Sequence, residues 1–123
     1  MAEKTILIAD DEPYLIRSLS FVLKKEGYLF EVAMDGLEAL EKVRRLRPSL
    51  VFLDIQLPKM DGFEVCRQIK TDLELREIYI IMLTAKGQDL DRQKGLAVGA
   101  NEYMTKPFSP KELIGHLRGL LGP

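Results

Sequence analysis

The run Leu50-Val51-Phe52-Leu53-Asp54 decides the fold, because it places an unbroken apolar strand directly before a carboxylate. Continuous apolar runs of this kind are typical of parallel strands that helices cover on both faces. Three other strand-like runs end in the same way, and the polar residues that follow them are Asp10 and Asp11, Thr84, and Lys106. The carboxyl ends of parallel strands lie along one edge of a sheet. We therefore expect these polar residues to converge at that edge.

Strand-like and helix-like segments alternate along the whole chain. Predicted strands cover Lys4–Ala9, Tyr28–Ala33, Ser49–Leu53, Ile78–Leu83 and 101–104. Predicted helices cover Pro13–Glu26, the segment that Asp35 caps and that ends before Pro48, Phe63–Asp72, Asp89–Val98, and a last helix capped by Ser109. Five β–α units predict an α/β domain with a doubly wound, five-stranded parallel sheet. An eight-fold barrel is excluded, since it needs roughly 200 residues or more and the chain has 123.

The predicted helices differ in the strength of their apolar stripes. The stripes are Leu15, Leu19, Val22 and Leu23 on the first helix, Leu37, Leu40, Val43 and Leu46 on the second, and Leu113, Ile114, Leu117, Leu120 and Leu121 on the last. The fourth helix carries only Leu90, Leu96, Ala97 and Val98. The fully polar middle of that helix, residues 91–94, predicts that it is the least firmly held of the helices.

Composition limits the function classes that this chain can serve. It is 46% hydrophobic, with 18 basic and 19 acidic residues and a net charge of -1, so no field of one sign favours nucleic acid or a membrane as partner. Cys66 is the only cysteine, and its helical spacing to Ile69 and Leu73 predicts a buried structural thiol. His116 is the only histidine and is expected to face solvent or an interface. No signal peptide or membrane span is evident, so we expect a cytoplasmic protein.

The converging side chains indicate phosphoryl-transfer chemistry. Three carboxylates close together repel one another, and a bound divalent cation such as Mg²⁺ would relieve that repulsion. Asp54, alone at the end of the central strand, is the best candidate for a nucleophile that forms an aspartyl phosphate, while Asp10 and Asp11 are candidate metal ligands. Lys106 would supply a positive charge, and the Thr84 hydroxyl would donate to a phosphoryl oxygen. Taken singly, each of these residues is an ordinary cap, turn or loop residue.

Four motifs together resemble the receiver domains of two-component response regulators, the family of the single-domain chemotaxis regulator. They are Ile8-Ala9-Asp10-Asp11-Glu12-Pro13, Leu53-Asp54-Ile55-Gln56-Leu57-Pro58-Lys59-Met60-Asp61-Gly62, Met82-Leu83-Thr84-Ala85 and Gly99-Ala100-Asn101-Glu102-Tyr103-Met104-Thr105-Lys106-Pro107-Phe108. The resemblance covers essentially the whole chain, residues 1–123. It implies a flavodoxin-like (βα)5 fold with strand order 2-1-3-4-5. It also implies a signalling switch that catalyses only its own phosphorylation and dephosphorylation.

The resemblance assigns a role to each site residue. It implies that Asp54 accepts a phosphoryl group from the phosphohistidine of a sensor histidine kinase or of a histidine phosphotransfer protein. Mg²⁺, which Mn²⁺ replaces in the family, would be bound by Asp11, Asp54 and the backbone carbonyl of Gln56, with Asp10 acting mainly through water. Thr84 and Lys106 would bind the phosphoryl group.

The resemblance also implies how the switch is read. Tyr103 takes the position of an aromatic switch that turns inward as Thr84 moves, although taken alone it is a half-buried strand aromatic. The Lys106–Pro107 peptide bond matches one that is cis in the family. Repacking of the face formed by the fourth helix, the last strand and the last helix would then control a downstream partner.

The sequence leaves the output of the switch open. The domain could stand alone and act on a separate effector protein, or it could be the N-terminal part of a longer protein with a covalent effector domain. Residues 103–113 resemble the winged-helix transcription-factor branch, which dimerises through charged pairs on this face. Arg92 and Glu112 match one such pair, and Glu102 keeps an acid of another, but His116 stands where that branch usually has arginine. A phosphorylation-dependent dimer is therefore one expectation, without direct nucleic-acid binding by this domain.

Three other classes of protein fit the chain less well. An aspartate-nucleophile phosphatase would need an Asp-x-Asp arrangement after the first strand, whereas Asp10 and Asp11 are adjacent. A flavodoxin-like electron carrier would need a phosphate-binding loop there, and acids would repel the flavin phosphate. A degenerate receiver that serves only as a scaffold would lack one of the five site residues, and all five are present.

Overall fold

Five strands and five helices alternate along the part of the chain that the computed structural model describes, residues 5–85 and 89–122, without the side chains of residues 85 and 89–92. The strands are β1 (Thr5–Ala9), β2 (Leu29–Ala33), β3 (Leu50–Asp54), β4 (Tyr79–Ala85) and β5 (Glu102–Lys106). The helices are α1 (Pro13–Lys25), α2 (Gly36–Leu46), α3 (Gly62–Lys70), α4 (Asp89–Ala97) and α5 (Pro110–Leu121). None of these helices combines the length and the apolar character needed to cross a membrane.

The five strands form one parallel sheet in the order β2-β1-β3-β4-β5, which confirms the predicted α/β fold class and strand order. Ala9 at the end of β1 pairs in register with Leu53 of β3, and Asp54 pairs with Leu83 of β4. The strand ends therefore lie side by side at one edge of the sheet. Strand β5 extends to Lys106 rather than ending at residue 104 as predicted, because Ala85 pairs in register with Lys106.

The sheet separates two apolar cores. Alternate residues of β3 point to opposite faces, so Val51 and Leu53 pack with α2 and α3, and Phe52 packs with α1 and α5. Every residue of β3 is buried, as the continuous apolar run predicted. Full burial of a side chain such as that of Phe52 contributes about 1.5–3 kcal/mol. The two cores thus hold β3, and the carboxylate at its end, in a fixed position.

The starts of α2, α3 and α5 are defined by side-chain caps. The side chains of Asp35, Asp61 and Ser109 accept hydrogen bonds from the backbone N–H groups three residues later, at 2.7, 2.9 and 3.1 Å. Such bonds satisfy N–H groups that have no partner within the helix. The caps predicted at Asp35 and Ser109 are confirmed, while α3 begins at Gly62 behind Asp61 and ends at Lys70, two residues earlier than predicted.

Three leucines do not pack as their spacing predicted. Leu37 in the first turn of α2 is 52% exposed, Leu73 beyond the end of α3 is 77% exposed, and Leu96 on α4 is 59% exposed. Leu73 lies outside the helix, so its spacing from Cys66 carries no packing consequence. The spacing of Leu37 and Leu96 places them on the apolar face of their helices. The way each helix packs on the sheet decides which part of that face is buried, and both leucines lie outside the buried part. The stripes of α1 and α5 are buried or partly buried as predicted.

Candidate functional site

Two adjacent acids follow β1 and differ sharply in burial. Asp10 is fully buried, and its Oδ1 accepts a hydrogen bond of 2.8 Å from the backbone N–H of Glu12. Its own backbone N–H donates to the carbonyl of Ala33 at 3.1 Å, which fixes the end of β1 against β2. Asp11, by contrast, is exposed. Asp10 therefore lies in the interior of the site, and Asp11 lies at its solvent-exposed edge.

Asp54 ends β3 in the centre of this edge and is 8% exposed. Two glycines allow the chain that follows to approach it closely. A Cβ on Gly62 would lie 2.3 Å from the carbonyl oxygen of Asp54, and one on Gly36 would lie 1.9 Å from the carbonyl oxygen of Met60. Side chains at either position would collide with backbone atoms. The first turn of α3 and the loop before it can therefore close around Asp54 only because these two residues are glycines.

Lys106 reaches three carboxylates from the opposite side of the site. Its Nζ lies 2.9 Å from Asp10 Oδ2, 3.3 Å from Asp54 Oδ1 and 3.3 Å from Glu12 Oε2. Burial of the ammonium opposes its charge, but contacts with Asp10, Asp54 and Glu12 outweigh the burial and raise the pKa of Lys106. The side chain is therefore a fixed positive charge at neutral pH. The peptide bond from Lys106 to Pro107 is cis.

Burial also changes the acidity of Asp10. Removal of its carboxylate from water raises the pKa of Asp10, and the nearby charge of Asp54 raises it further. The contact with Lys106 and the hydrogen bond from Glu12 only partly offset these effects. The charged form of Asp10 is therefore less favourable in the folded chain than in water.

The residues present fit a divalent cation. One ligand oxygen from each of Asp10, Asp11 and Asp54 lies within 4.8 Å of the other two. Opposite ligands of one Mg²⁺ lie about 4.2 Å apart, so small side-chain movements would bring the three oxygens to one ion. Asp10 Oδ2 is buried, and its contact with Lys106 is ionic rather than a well-aligned hydrogen bond. This oxygen therefore keeps lone pairs for a cation or for water bound to it.

The other predicted site residues lie around this cluster. Thr84 is 6% exposed and comes one residue after Leu83, the register partner of Asp54. Gln56 is exposed and two residues beyond Asp54. Tyr103 lies on β5, three residues before Lys106, and its hydroxyl oxygen is buried. The side chain of Arg92, which was predicted from the sequence to belong to a charged pair with Glu112, lies outside the described residues.

Glu12 belongs to the first of the four motifs, but no role was predicted for it from the sequence. Its carboxylate contacts Lys106 at 3.3 Å, and its backbone N–H donates to Asp10. The run of three acids at 10–12 was a signal for this contact, since the third acid follows directly on the pair. Only the fold shows that it faces Lys106.

A second polar cluster lies on β4, β5 and α5, at the ends of the strands opposite to Asp54. The hydroxyl of Tyr79 donates to Glu102 Oε2 at 2.6 Å, and His116 Nδ1 lies 2.7 Å from Glu102 Oε1. Burial and the contact with Glu102 raise the pKa of Tyr79 to about 12. His116 therefore pairs within the chain and is about three-quarters buried, so its expected exposure to solvent or to an interface was only partly right.

Cys66 is fully buried on α3, as expected, with its Sγ 3.7 Å from the carbonyl oxygen of Val98. Burial raises the pKa of this thiol to about 11. The neutral thiol therefore acts as a packing group between α3 and the end of α4, as its helical spacing from Ile69 predicted.

Two curated relatives are similar to this chain over nearly its full length. It is 43% identical over 118 residues, 96% of the chain, to the alkaline phosphatase synthesis transcriptional regulatory protein PhoP of Bacillus subtilis. It is 47% identical over 116 residues, 94% of the chain, to the DNA-binding response regulator MtrA of Mycolicibacterium smegmatis. The matches cover 48% and 50% of those proteins, so the chain spans about half the length of these relatives.

A solved structure and a family model agree with these relatives. The receiver domain of the sensor histidine kinase PA1611 from Pseudomonas aeruginosa, solved with magnesium in its active-site cleft, superposes with a TM-score of 0.88 and 32% identity. This match covers 99% of the present chain and 100% of that one. Residues 6–118 match the family model of the response regulator receiver domain. With its parallel sheet and its cluster of strand-end acids, this chain belongs to the family of response regulator receiver domains.

Proposed function

We propose that this chain is a phosphorylation-activated switch in which Asp54 accepts a phosphoryl group from the phosphohistidine of a sensor histidine kinase or a phosphotransfer protein. The observation that carries the proposal is the position of Lys106 Nζ, 3.3 Å from Asp54 Oδ1 within a cluster of acids. A lone carboxylate at a strand end has many structural roles. A carboxylate beside a fixed ammonium and two further acids is instead equipped to receive a phosphoryl group and a cation together.

The reaction would proceed as a transfer between two side chains. A carboxylate oxygen of Asp54 attacks phosphorus, the P–N bond of the phosphohistidine breaks, and the electron pair leaves with the imidazole. Lys106 and the Thr84 hydroxyl bind the phosphoryl oxygens as charge shifts between donor and acceptor. Asp10, Asp11, Asp54 and the Gln56 carbonyl are the groups that would hold Mg²⁺ or Mn²⁺. When bound, that ion neutralises charge on the phosphoryl oxygens.

A groove beside the site fits the approach of a protein donor. A cavity of about 330 Å³ opens next to Lys106 and Pro107 and is bounded by α1. Tyr14, which lines it, is 79% exposed, and Phe21 on the same helix is 69% exposed. Large apolar side chains left in solvent are typical of protein-binding surfaces. A kinase or phosphotransfer helix seated there would bring its histidine close to Asp54.

The response is proposed to pass from the site to the face formed by α4, β5 and α5. Lys106 and Tyr103 both lie on β5, so a movement of the ammonium toward a phosphoryl group acts on the strand that carries Tyr103. We expect α4 to repack most readily, as its weak apolar stripe predicts. Substitutions that hold Tyr103 outward should leave phosphorylation of Asp54 intact and abolish binding of the downstream partner.

The output itself is proposed from the relatives. The similar proteins PhoP and MtrA are named as transcriptional and DNA-binding regulators of about twice this length. We propose a cytoplasmic receiver that controls either a covalent effector domain or a separate effector protein, with a dimer formed on phosphorylation as one route. Glu102 is engaged by Tyr79 and His116 within the chain. A dimer through this face would therefore rely more on Glu112, whose carboxylate makes no ion pair among the described side chains.

The test is intact-mass analysis after incubation with acetyl phosphate or phosphoramidate and Mg²⁺. We expect one added phosphoryl group on the native chain and none without Mg²⁺ or in Asp54→Asn. Asp61→Asn is a matched control, because it changes an acid of the neighbouring loop and should retain the adduct. If a rapidly quenched native sample gains no mass and beryllofluoride does not bind either, the chain is a scaffold and not a phosphorylation switch.

A further inference from the structure

Gly95, in the interior of α4, lies directly against the ring of Tyr103. A Cβ placed on Gly95 would lie 2.6 Å from Tyr103 Cε2, 2.8 Å from its hydroxyl oxygen and 3.0 Å from its Cζ. All three separations are shorter than side-chain carbon atoms normally tolerate. Gly95 is buried, so the ring occupies the space that any other residue at position 95 would fill.

The backbone of α4 does not itself require glycine at this position. Gly95 is not among the residues with positive φ, unlike Gly27, Gly99 and Gly122. Glycine within a helix lowers helix stability relative to alanine. Two glycines of α5 provide the contrast, because a Cβ on Gly115 or on Gly119 would meet no atom within 4 Å. The glycine at position 95 is therefore explained by the aromatic ring and not by helix geometry.

A larger residue at position 95 would displace the Tyr103 ring more readily than the backbone of α4 or of β5. The backbone of Tyr103 is held by the parallel pairing of β5 with β4, in register with Met82. The atoms nearest to Gly95 are at the far end of the side chain, which moves by rotation about two torsions. A methyl group at position 95 would thus displace the hydroxyl end of Tyr103 while leaving the strand in place.

We propose that Gly95 is a positioning residue for the switch. Because Gly95 has no side chain, α4 leaves a space for the Tyr103 ring, which we call the seat. The size of residue 95 sets the fraction of molecules in which the ring occupies this seat. The inference rests on the proposed function, in which Tyr103 reports the state of Asp54. It makes the contact between Gly95 and the Tyr103 ring a direct connection between α4 and β5, so that movement of the ring and movement of the helix are coupled.

The seat is tested without phosphorylation by carbon-13 labelling of the tyrosine Cε positions in Gly95→Ala. The chain has four tyrosines, and Tyr103→Phe assigns the signal of interest. We expect the Tyr103 signal of Gly95→Ala to shift toward that of an exposed tyrosine and to broaden with a soluble paramagnetic probe. Gly115→Ala is the matched control, since it adds a methyl group in open space, and it should leave the Tyr103 signal unchanged. An unshifted Tyr103 signal in folded Gly95→Ala overturns the proposal.

A double substitution keeps the test decisive if Gly95→Ala folds poorly. Tyr103→Ala removes the colliding ring, so Gly95→Ala in that background should raise the melting temperature, as we also expect of Gly115→Ala in the native chain. A loss of melting temperature that is equal in the two backgrounds would show that the ring does not form the collision, and the proposal would fail.

Measuring the adduct and the Tyr103 signal in the same samples distinguishes failure of this inference from failure of the proposed function. The phosphoryl adduct should form on the native chain and on Gly95→Ala alike, because residue 95 does not contact Asp54. In the native chain the Tyr103 signal should shift on phosphorylation, and in Gly95→Ala that shift should be reduced. Absence of the adduct on the native chain refutes the proposed function. An adduct that leaves the native Tyr103 signal in place refutes the role of the Gly95 seat in switching.

Discussion

Lys106 Nζ lies 2.9 Å from Oδ2 of Asp10, a carboxylate with no exposed surface that directly follows β1. The same ammonium also lies 3.3 Å from Asp54. Strand β5 therefore does more than close the edge of the sheet. It supplies a cation that partly balances the buried acids Asp10 and Asp54. We therefore expect both the stability and the metal affinity of the site to depend on Lys106.

Lys106→Met should destabilise the fold at neutral pH. The substitution keeps the length of the stem but leaves the buried charge of Asp10 without its partner, and breaking a buried ion pair costs about 3 kcal/mol. Urea unfolding at pH 7 measures the loss. Lys59→Met is the control, because Lys59 is 63% exposed and pairs with Asp35 at 3.5 Å, so its removal should cost less than about 1 kcal/mol. Equal losses in the two variants would show that the Lys106 contacts do not stabilise the fold.

The same substitution should strengthen cation binding. Without the ammonium, the carboxylates of Asp10 and Asp54 have no competitor for a divalent ion. Mg²⁺ should therefore bind Lys106→Met more tightly than the native chain and restore more of its stability, by about 2.7 kcal/mol at a concentration one hundred times the Kd. Calorimetric titration and thermal melts in Mg²⁺ measure the two effects. In Asp11→Asn the affinity should fall in either background, and a native chain that binds more tightly than Lys106→Met would contradict the prediction.

Gly62→Ala should distort the site. A methyl group there would lie 2.3 Å from the carbonyl oxygen of Asp54 and 2.9 Å from Ile55 Cα, and these backbone atoms cannot rotate away as a side chain could. We expect a loss of about 2 kcal/mol in the free energy of unfolding together with weaker Mg²⁺ binding. Gly119→Ala, a helix position with free space around its Cβ, should instead stabilise the chain by up to about 1 kcal/mol. A neutral Gly62→Ala would mean that α3 is free to move away from β3.

Tyr79 should titrate at a higher pH than a free tyrosine. Its pKa of about 12 arises from burial and from the nearby carboxylate of Glu102, so the phenolate absorbance should rise about two pH units above that of free tyrosine. The folded state holds the proton more tightly than the unfolded state. The contribution of Tyr79 to stability is therefore complete below pH 10 and is lost as the pH rises from 10 toward 12.

Two variants test the origin of this shift. Glu102→Gln should lower the midpoint of the Tyr79 titration, since it removes a negative charge 2.6 Å from the hydroxyl oxygen. Native chain and Tyr79→Phe should differ in stability by a constant amount up to pH 10 and by a decreasing amount above it. A midpoint near 10 in the native chain would contradict the close contact with Glu102.

Much of the fold could be predicted because its signals are local. The apolar runs that lead into Asp10, Asp54 and Thr84 identified three strands, and the capping residues Asp35 and Ser109 marked two helix starts. Apart from the ends of α3 and β5, the predictions that were wrong concern which face of a helix is buried, and not which helices and strands exist. Leu37 and Leu96 have the spacing of buried residues, yet they are exposed, because the docking of a helix on the sheet decides how wide a stripe is covered.

The sequence by itself determined the order of strands and helices and the set of residues at one edge of the sheet, Asp10, Asp11, Asp54, Thr84 and Lys106. Hydrophobic periodicity, helix capping and the geometry of parallel strands suffice for this, since each acts over a few residues or follows from topology. Only the tertiary structure decided which of these groups touch. The contact of Lys106 with Glu12, the bridge of Glu102 between Tyr79 and His116, and the seat of Tyr103 on Gly95 depend on distances between elements. The packing of side chains from separate segments sets those distances, and no local pattern encodes them.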